Sequence, residues 1–180
     1  MIKRPALLLL FVLCSGLLYA LDLPKAPTGF SWQEIPELKA ALLKPDGWFF
    51  KQEENKGTRA YFITKEDIDR QGQFQTGLTV NVFHFKQDSA VDHAQALIAQ
   101  MAEEHHVSSQ SRRAGPFQEF ACDLKDTDAS GTIVMHALTV ANPKTNTMYL
   151  FIFESPADSW DAAWKVGEQI MNSLALDDNV

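Results

Sequence analysis

The side chains able to do chemistry are few and scattered. Histidine stands at His84, His93, His105, His106 and His136, and Glu103-Glu104-His105-His106 is the densest group of metal-capable ligands. Zinc needs three or four ligands converging on one point. Successive residues at a helix end diverge by about 100°, and His93 lies more than three turns from His105 on a helix. The run therefore reads as a polar helix terminus, where histidine suits the dipole. His84 and His136 fall in different strand-like runs. Were those strands neighbours, the two rings could meet across a sheet. An envelope hydrolase or metal-dependent enzyme built on such a histidine site is the alternative functional reading.

The remaining motifs point away from catalysis. Asp123, Asp126 and Asp128 alternate like the oxygen ligands of a calcium loop, but the twelfth position from Asp123 is Val134, not a bidentate glutamate. A solvated acidic turn is expected there. Cys122 sits in the apolar run Phe120-Ala121-Cys122 with Asp123 beside it, so it reads as a buried, unreactive thiol. There is no Gly-x-Ser-x-Gly, no phosphate-cradling glycine loop and no His-Glu-x-x-His. The sequence nominates no catalytic residue, no cofactor and no metal ligand.

What remains is contact with a partner. The chain has 16 Lys and Arg against 23 Asp and Glu, a net charge of −7. Such a surface repels nucleic acid and anionic lipid. Arg112 and Arg113 form the one dense basic cluster, in a polar segment (107–115) read as a loop, and could dock an acidic partner. Phe30 and Trp32 precede the domain proper and could line an apolar contact patch. These four residues are the candidate partner-binding positions, and a protein in the envelope is the expected partner.

The first twenty residues explain the envelope. Lys3 and Arg4, an apolar run over 6–13, then Cys14, Ser15, Gly16 and Ala20 follow the layout of a secretory signal peptide. Cleavage is expected after Ala20, with Gly16 as the alternative. The run is short for a membrane anchor, which wants roughly 20 apolar residues, so no stable membrane span is expected after cleavage. Leu13 is too large for a lipoprotein signal at Cys14. Loss of Lys3 and Arg4 leaves 14 basic against 23 acidic residues, near −9. Loss of Cys14 leaves Cys122 alone, so no internal disulfide can form. A secreted or periplasmic protein follows.

The elements that position these residues can be read from periodicity. Residues 21–34 read as an extended leader and 35–176 as one domain, with a polar tail at 177–180. Ser31-Trp32-Gln33-Glu34 has capping-box spacing, and 36–43 reads as a short helix with Leu38 and Leu42 on one face. Trp48-Phe49-Phe50 opens a strand, Asn55-Lys56-Gly57 turns the chain, and 59–64 returns as its hairpin partner. One helical turn is expected within 65–71. Residues 77–85 are apolar on both faces, as in a covered central strand. Residues 89–105 form a helix capped by Ser89, with Val91, Ala94, Ile98, Met101 and His105 on one stripe. Three strands, 117–124, 132–140 and 147–153, form an antiparallel meander. A last helix over 158–174 carries Trp160, Ala163, Trp164, Gly167, Ile170, Met171 and Leu174 along one face. The predicted fold class is α+β: a central, mainly antiparallel sheet flanked by helices, an α/β/α sandwich.

This order resembles the PsbP-like family, which includes lumenal photosystem II extrinsic proteins and secreted bacterial relatives. The resemblance is carried by Pro45-Asp46-Gly47-Trp48 before the first strand and by Thr76-Gly77-Leu78-Thr79-Val80-Asn81-Val82 in the long strand. Trp164 through Ile170 to Ser173-Leu174 in the last helix also fits. It spans about residues 35–176. It implies the same fold and a binding or assembly role without catalysis. It carries over no functional residue. The leading expectation is an exported, non-enzymatic binding or assembly protein.

Overall fold

Tyr149, Phe151 and Phe153 alternate with Met148 and Leu150 along one strand, and all five are buried. Successive strand residues point to opposite faces, so this strand must be covered on both sides. A computed structural model, which describes residues 23–55, 58–129 and 131–179, shows how. The expected signal peptide, and the core of the turn at 55–57, lie outside the described residues.

Among the described residues, ten strands and three α-helices follow in order: β1 (Phe30–Ile35), β2 (Ala40–Pro45), β3 (Phe49–Asn55), β4 (Thr58–Thr64), α1 (Ile68–Gln71), β5 (Gly77–His84), α2 (Ala90–Glu104), β6 (Ser109–Ala114), β7 (Phe117–Asp128), β8 (Gly131–Asn142), β9 (Thr147–Pro156), α3 (Trp160–Asn172) and β10 (Ala175–Leu176). A seven-stranded sheet runs β3-β4-β5-β9-β8-β7-β6, and a three-stranded sheet runs β1-β2-β10. Every pairing is antiparallel. The fold class is α+β, as the periodicity predicts. No helix among the described residues is long and apolar enough to cross a membrane.

One face of the large sheet carries α2. The Ser89 hydroxyl accepts from the Asp92 N–H at 3.2 Å and starts the helix. Ala90, Ala94, Ile98 and Ala102 are its buried face, against Phe120, Cys122, Leu124 and Met148 of the sheet. The predicted stripe is rotated, for Val91 and Met101 are only partly buried. Three alanines let the backbone sit close over the bulky strand residues, and the larger helix side chains flank the contact. The Thr139 hydroxyl reaches from β8 to the Ala94 carbonyl at 3.2 Å.

The other face holds the larger core. Leu78, Val80, Val82, Leu138, Val140, Tyr149, Phe151 and Phe153 pack there beneath Ile170 of α3 and Ile35, Leu38 and Leu42 of the small-sheet region. That layer departs from expectation. Residues 36–43 are not a helix: one 3-10 turn at Pro36–Leu38 ends at Lys39, in the left-handed region at φ 43°, and β2 follows. Ala40, Ala41, Leu42 and Leu43 are all buried, since β2 is the middle strand of its sheet and is covered on both sides. The capping-box spacing at 31–34 falls inside β1, so Phe30 and Trp32 belong to a paired strand and not to a leader. At the other end, β10 pairs with β2, and the Asn142 amide donates to the Asp178 carbonyl at 2.9 Å.

The segment expected as a loop over 107–115 is β6, paired with β7 from Ser109↔Cys122 to Ala114↔Phe117. Its residues are exposed up to Arg113. An edge strand with no buried face carries no hydrophobic alternation, and its sequence reads as loop.

Candidate binding groove

Directly opposed residues of an antiparallel pair share a face. Register therefore places Asp123 opposite His136 and His136 opposite Phe153, with Arg112 opposite Glu119 and Glu119 opposite Val140. All six lie on the α3 face. The helix packs over β9 and β2, leaving β8, β7 and β6 to run out beyond it. An open groove results between the inner flank of α3 and the outer strands.

Two adjoining hollows make up the groove. One of about 230 Å³ is lined by Gln110, Arg112, His136, Trp164, Glu168 and Met171 among others. The second, about 360 Å³, extends it past Ala114, Phe117, Leu174 and Leu176, and shares Arg112, Glu119, Leu138 and Met171. The floor is partly apolar and the rim is polar, the composition of a recognition surface.

Two pairs of polar side chains in the groove bond to each other. The Arg112 Nε donates to the Glu119 carboxylate; the arginine side chain is 71% exposed and the glutamate 12%. His136 Nδ1 lies 2.7 Å from Asp123 Oδ1, and its ring centroid is 4.6 Å from that of Trp164, which in turn stacks on Trp160 at 5.3 Å. When Nδ1 donates to Asp123, Nε2 is left as an acceptor. The dyad could move a proton, yet among the described residues no hydroxyl or thiol hydrogen-bonds to its ring. Among the described residues no group of three or more His, Cys, Asp or Glu could hold a metal ion.

Of the four predicted contact residues, only Arg112 lines the groove. Arg113 points to the opposite face of β6 and donates from Nε to the Gly115 carbonyl at 3.4 Å. Phe30 packs against the larger core, and Trp32 donates from Nε1 to the Pro24 carbonyl at 2.6 Å. Both sit on β1, across β2 from β10, so the structure does not bring them to the arginines.

The histidine constellations do not form. His84 and His136 are on strands separated by β9. They stand opposite Thr147 and Phe153, roughly 20 Å apart along that strand at its ordinary rise. His84 Nδ1 pairs instead with the Thr147 hydroxyl at 3.0 Å. His105 Nδ1 meets the Lys125 carbonyl at 3.0 Å, His106 closes the helix at φ 55°, and His93 stacks on Phe85 with centroids 4.4 Å apart. Cys122 is buried beneath α2, where burial first and Asp123 second push its thiol pKa up.

Sequence reading missed Glu119, His136 with Asp123, Trp164 and Glu168 as neighbours in one place. The signal for the first three is strand register, which the β7–β8 pairing carries as far as Asp128 opposite Gly131. A further hollow, about 740 Å³, lies at the end of the sheet beside the start of α3, around Glu154, Phe74, Gln75, Thr132 and Asp158. Desolvation holds the Glu154 carboxyl above its ordinary pKa.

No protein-family model matches the sequence, and no curated protein is significantly similar to it. Solved structures are similar in fold. The cyanobacterial PsbP protein, CyanoP, of Synechocystis sp. PCC 6803 superposes with a TM-score of 0.53 at 11% identity, over 84% of this chain and 95% of that one. The fold is PsbP-like. A Bacteroides thetaiotaomicron protein superposes with a TM-score of 0.50 at 12% identity over 77% of this chain, which spans only 45% of that one. The Saccharomyces cerevisiae Ran-binding protein Mog1p gives 0.49 at 9% identity, over 82% and 95% of the two chains. Within this PsbP-like fold, the groove is bounded by α3 and by the last three strands of the large sheet.

Proposed function

We propose that the protein is an exported binding module without a catalytic step, and that the groove beside α3 receives part of a partner protein of the envelope. The observation that carries this reading is the groove's chemistry. Two of its polar pairs are closed on themselves, Arg112 with Glu119 and His136 with Asp123, while Leu138, Met171, Leu174 and Leu176 offer apolar contact. Paired charges on a partly apolar surface give specificity without demanding a reacting substrate. The signal-type N-terminus supports export, and the PsbP-like fold is compatible with it.

A photo-crosslinking residue placed at Met171 of the full chain, in intact cells, tests the reading. One dominant protein adduct from Met171, and none from a control at Glu53 on the far edge of the sheet, is the expected result. Equal adducts from both positions, or none from either, would sink it.

The His136–Asp123 dyad favours a second reading, a hydrolase using His136 as general base. His136→Gln would then abolish turnover of ester or phosphoester reporters by the full chain. A wild-type protein that turns over none of them leaves the dyad a structural pair.

A further inference from the structure

We propose that the open edge of β6 takes up an extended partner segment as an eighth strand of the large sheet, and that this segment alternates acidic and apolar residues. The inference rests on the binding reading above and names the partner's chemistry.

β6 ends the strand order, and residues Ser109 to Arg113 are exposed. Its outward backbone groups form a ready template for another strand. The opposite edge is built differently. On β3, the Lys51 ammonium lies 2.8 Å from Glu53 and 2.7 Å from Asp69, and Glu54 reaches Arg59 at 3.5 Å. Charged side chains of this kind blunt an edge. β6 has six residues, no proline and no carboxylate, and its two charges are of one sign, so a strand of the opposite charge meets no repulsion there.

Charge selects the occupant. β6 carries two arginines on a chain whose net charge is −7. The Arg112 charge is answered by Glu119. Arg113 meets only the Gly115 carbonyl at 3.4 Å, and no carboxylate of the described residues pairs with it. A second copy of this chain is disfavoured, because antiparallel pairing of two β6 strands sets arginine near arginine, and like charges across a sheet repel.

Pleat then gives the alternation. Residues of an added strand opposite Arg113 share its face, and carboxylates fit there. Residues opposite Gln110, Arg112 and Ala114 rise on the α3 face, over the two hollows lined by Leu138, Met171 and Leu174. Apolar side chains fit there.

The test titrates the full chain with a capped peptide of about six residues alternating leucine and glutamate, the length of an ordinary strand, followed by backbone amide shifts. The expected result is shifts confined to β6 and the groove rim, with affinity about tenfold weaker for the leucine-lysine peptide and for Arg113→Glu, and restored by Arg113→Lys. N-methylation of one alternate set of peptide amides abolishes binding, and methylation of the other set leaves it, because only one set faces β6. Equal binding of the acidic and basic peptides, indifference to both methylation sets, shifts elsewhere, or no binding would overturn the proposal, and the peptide series on the wild-type chain decides it even if a variant fails to fold. A Met171 adduct that persists beside any of those results keeps the groove and removes the edge.

Discussion

Gly167 of α3 stands directly over the ring of Phe153: a β-carbon at position 167 would lie 2.7 Å from Cδ1 and 2.8 Å from Cγ. Phe153 is fully buried and its ring has nowhere to go. On propensity alone, Gly167→Ala would favour the helix by about 1 kcal/mol. Overpacking a filled core costs about 1–3 kcal/mol, and here it outweighs the gain. Gly167→Ala is expected to lower the midpoint of urea unfolding. Gly167→Ala combined with Phe153→Leu recovers part of the loss. A stabilised single variant would contradict the close approach.

Asn146 joins three parts of the chain. Its Nδ2 donates to the Phe85 carbonyl at 2.9 Å and the Asp88 carbonyl at 2.7 Å, and its Oδ1 accepts from the Ala90 N–H at 2.8 Å. It does so at φ 54°, which asparagine tolerates better than most residues. Asn146→Gly keeps the backbone and loses the bonds, a cost of about 2–4 kcal/mol at ordinary net values. Asn146→Ala adds left-handed strain and is expected to be the less stable of the two. Chemical denaturation of both gives the order, and hydrogen exchange should show the first turn of α2 opening.

Glu154 sets a pH dependence. Burial raises its carboxyl above the ordinary 4.5, so the fold disfavours the charged form. Its favourable contribution is complete below the unfolded pKa and is lost as pH rises through the higher folded value. Glu154→Gln is therefore expected to melt higher than wild type at pH 7 and to match it near pH 3. A difference of the same size at both pH values would contradict this origin.

Arg112 and Glu119 allow a double-mutant cycle. The arginine is mostly exposed, so the pair itself is worth only ~0.2–1 kcal/mol. Arg112→Ala leaves a mostly buried carboxylate behind, whereas Arg112→Ala with Glu119→Gln does not. The single variant should be the less stable, read by thermal unfolding at low salt, and the gap should narrow as salt screens the charge.

The sequence made some elements plain and hid others for physical reasons. Ser89 before an apolar stripe, and the aromatic and aliphatic face from Trp160 to Leu174, announce α2 and α3 because each buries a single stripe against its own face of the sheet. The β-branched and aromatic runs of β4, β5, β8 and β9 are equally direct. Ala40 to Leu43 misleads because an apolar run buried on both sides fits a helix or a strand, and only its pairing with β1 and with the distant β10 decides. β6 misleads in the opposite sense, since an edge strand has no side to bury. At the groove, Arg112 stood out by charge alone. Its neighbours Glu119, His136 and Asp123 come together only through register, and Trp164 and Glu168 only through the placement of α3.

The pairing of β10 with β2 has a consequence for how the molecule is made. Ala41 finds its partner in Ala175, and the face formed by Leu78, Val80 and Phe151 waits for Ile170. A chain delivered from its N-terminus can close the hairpins and seat α2 early, but not this core. Contacts so far apart in sequence form late and slowly, and the uncovered sheet is prone to aggregate meanwhile. A holding chaperone, or delivery of the whole polypeptide before folding begins, fits the demands of this topology.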